Sequence, residues 1–272
     1  MDIRSILVHV DLDTANSTSL RYAIDLAQTF EANLIGVAAD QPNLAFASVD
    51  GAAAIDFYAM ERSEIEKQLS KAEEAFRAAV PASIKVAWRS RVTSPVAAII
   101  DAAGAADLIV TGSKASRAFH ETEAVNLGEI VLASGRPVLD VGAFVSEVRL
   151  EKVMIAWKDT REARRAVVDA LPFLRRAKEV SAVTIGEGDR KQELADLEDL
   201  VAWLACHDVA ARGSVIDNPE GSLDMLERSA LALGADLLVS GGYGHSRMRE
   251  WLFGGMTRNV LAAEKLNRLI SS

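Results

Sequence analysis

The chain carries one plan written twice. "ADLIVTGSKASR" (106–117) returns as "ADLLVSGGYGHSR" (235–247), each placing Ala-Asp before a short apolar run that ends on a small residue and a glycine. Alanine-rich helical stretches precede both, SPVAAIIDAAGA and LDMLERSALALGA. The beginnings of the halves agree as well. SILVHVD and KVMIAWKD are buried-strand runs, each followed by a helical pattern and a second strand, NLIGVAAD or VSAVTIGE. A repeat of domain size restricts the fold more than any composition can.

Each half reads as five strands alternating with four helices. Strands are expected near 5–11, 33–39, 84–89, 107–112 and 137–141, then near 152–157, 180–185, 208–214, 236–241 and 266–271. Strands that are apolar throughout and alternate with longer helices belong to a parallel sheet covered on both faces. Right-handed crossovers then give a doubly wound arrangement. The expected fold class is α/β, with two tandem doubly wound parallel five-stranded sheets flanked by helices. The domains span 1–144 and 149–272, and the boundary follows the strand RPVLDV. Arg268 inside the last expected strand marks it as a weak edge. In the first half, residues 40–60 lengthen the link to the charged helical run ERSEIEKQLSKAEEAFRAAV, as a packed surface loop or a lid.

Charge and cysteine content narrow the function. The 272 residues carry a net charge of −9, which disfavours nucleic acid or an anionic membrane as partner. A single cysteine, Cys206, excludes an internal disulfide and a thiolate metal site. No apolar run reaches the roughly 18 residues of a membrane span. MDIRSILVHVD leads straight into a strand without the form of a signal peptide, so the expected compartment is the cytoplasm.

The chemistry concentrates in SGGYGHSRMREWLFGGMTRNVL (240–261). Gly241-x2-Gly244-x9-Gly254, then Gly255, falls after a strand and before a helix expected to begin near Met256 and Thr257. In a doubly wound sheet that is the edge where ligands bind. Glycines let backbone amides approach an anion, and the following helix N-terminus favours negative charge. Thr257 offers a hydroxyl, and Arg247, Arg249 and Arg258 add positive potential. His245 reads equally as a loop histidine, and Trp251 and Phe253 as packing residues. Trp157 reads equally as a base-stacking or a core residue, and His9 as a buried strand histidine. No nucleophile–base–orienter set, zinc-protease pair or P-loop lysine can be assembled.

These residues resemble the G-x2-G-x9-G-(S/T) loop of the universal stress protein family. ILVHVD, ADLIVTGS, ADLLVSGG and GRPVLDV are similar to that family's landmarks over nearly the whole chain. The resemblance implies a tandem of two Rossmann-like domains, of the type shared with adenine nucleotide alpha hydrolases. It also implies an adenine nucleotide, ATP with or without Mg2+, in the second half. Base and ribose would meet Ala156, Trp157, Lys158 and Val183. Phosphates would meet Gly241, Gly244, Gly254, Gly255 and Thr257. Three positions depart from the family pattern. Gly255 stands where Ser or Thr is usual, with Thr257 nearby to compensate. Lys158 stands where Asp is common, with Asp159 beside it as a substitute. The first half has lost the loop, with Ala115 in the second glycine slot and only Gly128 near the third, though it keeps Asp11.

The expected function is therefore a cytoplasmic stress-response protein that binds an adenine nucleotide in its second domain. It would act through conformation or an unidentified protein partner, with slow ATP hydrolysis at most. The alternative is a nucleotide-independent interaction or dimerisation protein of the same fold. Family members commonly pair through their fifth strands, so fusion implies that the two halves pair within one chain; a further homodimer is left open.

Overall fold

The computed structural model describes residues 2–12, 17–42, 51–112, 125–145, 147–186, 188–217, 225–242 and 266–272, with 51–54 described for the backbone only. In the first half these form β1 (Ser5–His9), α1 (Thr18–Phe30), β2 (Asn33–Asp40), α2 (Gly51–Ala79), β3 (Val86–Val92), α3 (Pro95–Ala102), β4 (Leu108–Gly112), α4 (Leu127–Ala133) and β5 (Val138–Val141). The second half follows with β6 (Lys152–Ala156), α5 (Arg161–Leu174), β7 (Glu179–Gly186), α6 (Arg190–Ala205), β8 (Ala211–Asp217), α7 (Met225–Leu233), β9 (Leu237–Gly241) and β10 (Asn267–Ser271).

All ten strands join one sheet, in the order β3-β2-β1-β4-β5-β10-β9-β6-β7-β8. Outward from the middle the halves match strand for strand. Among the described residues pairing is parallel within each half and antiparallel only at the seam, where Arg268 lies opposite Asp140, Leu269 opposite Leu139 and Ile270 opposite Val138. Two doubly wound five-stranded sheets are thus fused edge to edge.

The apolar alternation along the strands sorts the helices by face. On one face α1, α2, α5 and α6 cover a single core that crosses the seam; Leu20, Phe30, Phe76, Phe173 and Leu204 belong to it. At the seam Phe30 meets Phe173 edge-on, with centroids 5.3 Å apart, and the Arg176 guanidinium lies 4.5 Å over the Phe30 ring. The opposite face holds two smaller cores, one under α3 and α4 and one under α7. Spacing explains the helices that fit here. Leu20, Ala23, Ile24 and Ala27 form one stripe of α1, and Ser17 caps its first turn by accepting from the Leu20 amide.

The repeated Ala-Asp now has a cause. Asp107 Oδ2 accepts the amides of Arg4 and Ser5 at 2.9 and 3.0 Å. Asp236 Oδ2 accepts those of Glu151 and Lys152 at 3.0 and 2.9 Å. In each half this carboxylate fixes the entry of the first strand against the fourth. Asp236→Ala is expected to lose both charge-assisted bonds and to destabilise the protein by about 2 kcal/mol. The urea midpoint would report it, and an unchanged midpoint would refute the clamp.

Three expectations need correction. The helix expected from residue 61 begins at Gly51, so 51–60 is neither loop nor lid. GAAAIDFYAM lacks proline and is rich in good helix formers, which lets the charged helix extend backward; residues 43–50 lie outside the described set. Strands β3 and β8 sit two to three residues later than expected, because they are sheet edges with largely exposed side chains rather than apolar runs. Finally, β10 is no weak edge but lies in the middle of the sheet. Arg268 is tolerated there because Nη2 donates to Asp140 Oδ2 at 2.8 Å and Nη1 to Glu227 Oε1 at 2.9 Å.

Candidate functional site

In the second half the chain runs outward from β6 through β7 to β8, then returns to the other side of β6 as β9. The strand order reverses between β6 and β9, and a crevice opens at that point in folds of this kind. The residues delivered there are Ala156 at the end of β6, Trp157, Lys158 and Asp159 after it, Val183 on β7 and Gly241 at the end of β9. Ala156 lies opposite Val183 in register, and the Trp157 amide donates to the Val183 carbonyl at 2.8 Å.

The side chains differ in what they offer. Trp157 is buried and belongs to the largest core, so its ring serves packing. Its carbonyl accepts from the Thr184 hydroxyl at 3.0 Å. Lys158 and Asp159 are exposed. The Asp159 carboxylate takes two bonds from Arg164, Nε to Oδ1 at 2.6 Å and Nη2 to Oδ2 at 3.0 Å. Hydrogen bonding to Arg164 and its charge hold Asp159 below the ordinary carboxylate range, against a smaller contrary effect of burial. A ribose hydroxyl at Asp159 would share that carboxylate with Arg164. Thr160 caps α5 by accepting from the Ala163 amide at 3.3 Å, so the helix starts beside the crevice.

Gly241 has a reason of its own. A Cβ there would stand 2.6 Å from the Ala163 nitrogen and 2.7 Å from the Glu162 carbonyl carbon, inside the backbone of α5's first turn. Gly242 is similarly crowded, with a hypothetical Cβ 2.9 Å from Val131 of α4, and its amide donates to the Ser271 carbonyl at 2.7 Å. Gly244, Gly254, Gly255 and Thr257 lie outside the described residues, as do Ala115, His245, Arg247, Arg249, Trp251, Phe253 and Arg258. The helix expected near Met256 lies there too.

Register places the two halves side by side. His9 lies opposite Val37 as Ala156 lies opposite Val183, and the next amide, of Val10 or Trp157, donates to that valine's carbonyl in both halves. Asp11 therefore corresponds to Lys158, and Gly112 to Gly241. Where the second half sets the methyl of Ala156, the first sets the buried imidazole of His9. Read along its own strand, His9 is only a core residue; comparing it with its counterpart on β6 exposes this difference. Gly128 is in the first turn of α4, which Asn126 caps through the Glu129 amide. Cys206 is exposed at the end of α6, and His207 packs on Trp203 with ring centroids 4.1 Å apart.

Residues 2–122 match the sequence profile of the universal stress protein family. The first half of the chain is thus similar to that family's domain. The universal stress protein fold extends further than the profile. A universal stress protein from Archaeoglobus fulgidus DSM 4304 is 18% identical and superposes over 98% of this chain and 96% of its own, with a TM-score of 0.67. A functionally unknown protein from Pseudomonas aeruginosa PAO1 is 16% identical over 99% of this chain and 92% of its own, with a TM-score of 0.59. At such identities the likeness is one of fold. No curated protein matches the sequence. Among the described residues no helix is long and apolar enough to cross a membrane.

Proposed function

We propose that this chain is a cytoplasmic stress-response protein of the universal stress protein family that binds an adenine nucleotide, ATP with or without Mg2+, in its second domain (149–272). It acts through conformation or a protein partner rather than through turnover. The observation that carries the reading is the Gly241-x2-Gly244-x9-Gly254 pattern, which leaves β9 at the point where the strand order reverses, beside Ala156 and Val183. Glycines at this place suit backbone amides that approach phosphates. Ala156, in place of an imidazole, favours the second half over the first for the base and ribose.

The competing reading, a nucleotide-independent interaction protein, draws on the packing role of Gly241 and on the engagement of Asp159 by Arg164. Calorimetric titration of nucleotide-stripped protein with ATP, with and without Mg2+, decides between them. Saturable binding near one site per chain is expected, and Gly244→Val or Gly254→Val should weaken it by about tenfold or more, a loss of at least ~1.4 kcal/mol. Two sites would bring the first half back into consideration. No heat from correctly folded protein would give the lead to the interaction reading.

A further inference from the structure

The seam between the halves carries charges that apolar strands do not need. Arg268 on β10 and Asp140 on β5 are register partners, with side chains only 6% and 7% exposed, and Glu227 of α7 supplies the second carboxylate at 13%. Beside them Asn267 accepts from the Gly142 amide at 3.1 Å through Oδ1, and its Nδ2 donates to the Tyr22 hydroxyl at 3.1 Å, so one β10 side chain holds two points of the first half. Burial above all, with the Asp236 and Asp25 carboxylates, raises the Tyr22 phenol well above its ordinary value and keeps it neutral in this contact.

We infer that the Arg268–Asp140 pair is a pairing code that admits β10 onto β5 and rejects like strands from a second copy. The register shows why. A second copy's β5, paired antiparallel about Leu139, would set Asp140 opposite Val138 and bury two carboxylates side by side without Arg268. A second copy's β10, paired about Leu269, would set Arg268 opposite Ile270 and bury two guanidiniums at the strand interface without Asp140. Arg268 would keep Glu227 but lose Asp140, and like charges would face each other in both cases, so each homotypic seam is disfavoured and the heterotypic one is not. The strand edge that could join copies is closed within one chain, across the connection 142–151.

Charge reversal tests the code. Asp140→Arg and Arg268→Asp, each alone, place like charges across the seam, and each should lower the melting temperature by roughly 10 °C. Co-expressed, the two variants can exchange halves so that both seams pair opposite charges. The two substituted positions then face each other in one seam, and the native Asp140 and Arg268 in the other. Light scattering should then find a 1:1 heterodimer of twice the 29.2 kDa chain mass. Where neither single variant folds, or no heterodimer forms, the double variant in one chain decides. A folded monomer that recovers most of the lost melting temperature supports the code, and a double variant no more stable than the worse single overturns it. Single variants that stay monomeric at the wild-type melting temperature, alone and together, overturn it outright.

Discussion

Phe173→Ala is expected to destabilise the protein by about 4 kcal/mol, near the upper range for a large buried side chain cut to a methyl. Phe173 is 1% exposed, and its partner across the seam is Phe30 of α1, itself covered by Arg176. Removing the ring therefore opens a cavity in the largest core that both halves share, and it strips Phe30 of its edge-on neighbour. The sheet seam would persist through β5 and β10, so α1 and α5 should loosen from each other before the strands part. In a chain of this size a loss of that order lowers the melting temperature by roughly 10 °C. The denaturant midpoint is the direct measure. A loss below about 1 kcal/mol would mean that the two helices only touch and share no core.

The same seam shows how far a sequence can be read. Ten strands were legible because eight of them are buried on both faces and appear as apolar runs, while the edge strands β3 and β8 were displaced because their exposed arginines and serines interrupt such a run. The Ala-Asp repeat was visible, but its cause was not. The amides that Asp236 holds lie 84 and 85 residues away, and no local pattern announces them. Arg268 misled for the same reason. A charge inside a strand signals an edge unless its counter-charge is known, and Asp140 is 128 residues distant. At the candidate site the pattern of glycines was legible as a pattern. Trp157, readable as a stacking surface or as core, reads as core only once its burial within the largest cluster is known.

Gly241→Ala should cost about 3 kcal/mol, at the severe end for a small-to-large change in a packed site. The first atoms its methyl meets are the Ala163 nitrogen at 2.6 Å and the Glu162 carbonyl carbon at 2.7 Å. Both are backbone, so no rotamer change relieves the contact and the start of α5 must move as a body. Gly112 is the equivalent residue of the first half, yet there, among the described residues, the methyl would meet only the Ser19 side chain, at 3.2 and 3.3 Å. A shift of a few tenths of an ångström accommodates it, and Gly112→Ala should cost less than about 1 kcal/mol. Thermal melts of the two variants side by side test the asymmetry, and equal losses would sink it. The comparison also divides the glycine pattern by cause. A melt lowered by Gly241→Ala, beside a Gly244→Val protein that keeps its fold and loses ATP, would assign the first glycine to the seating of α5 and the second to phosphate. Gly241 alone would then be no evidence of a ligand, and the case for the nucleotide would rest on the glycines that follow it.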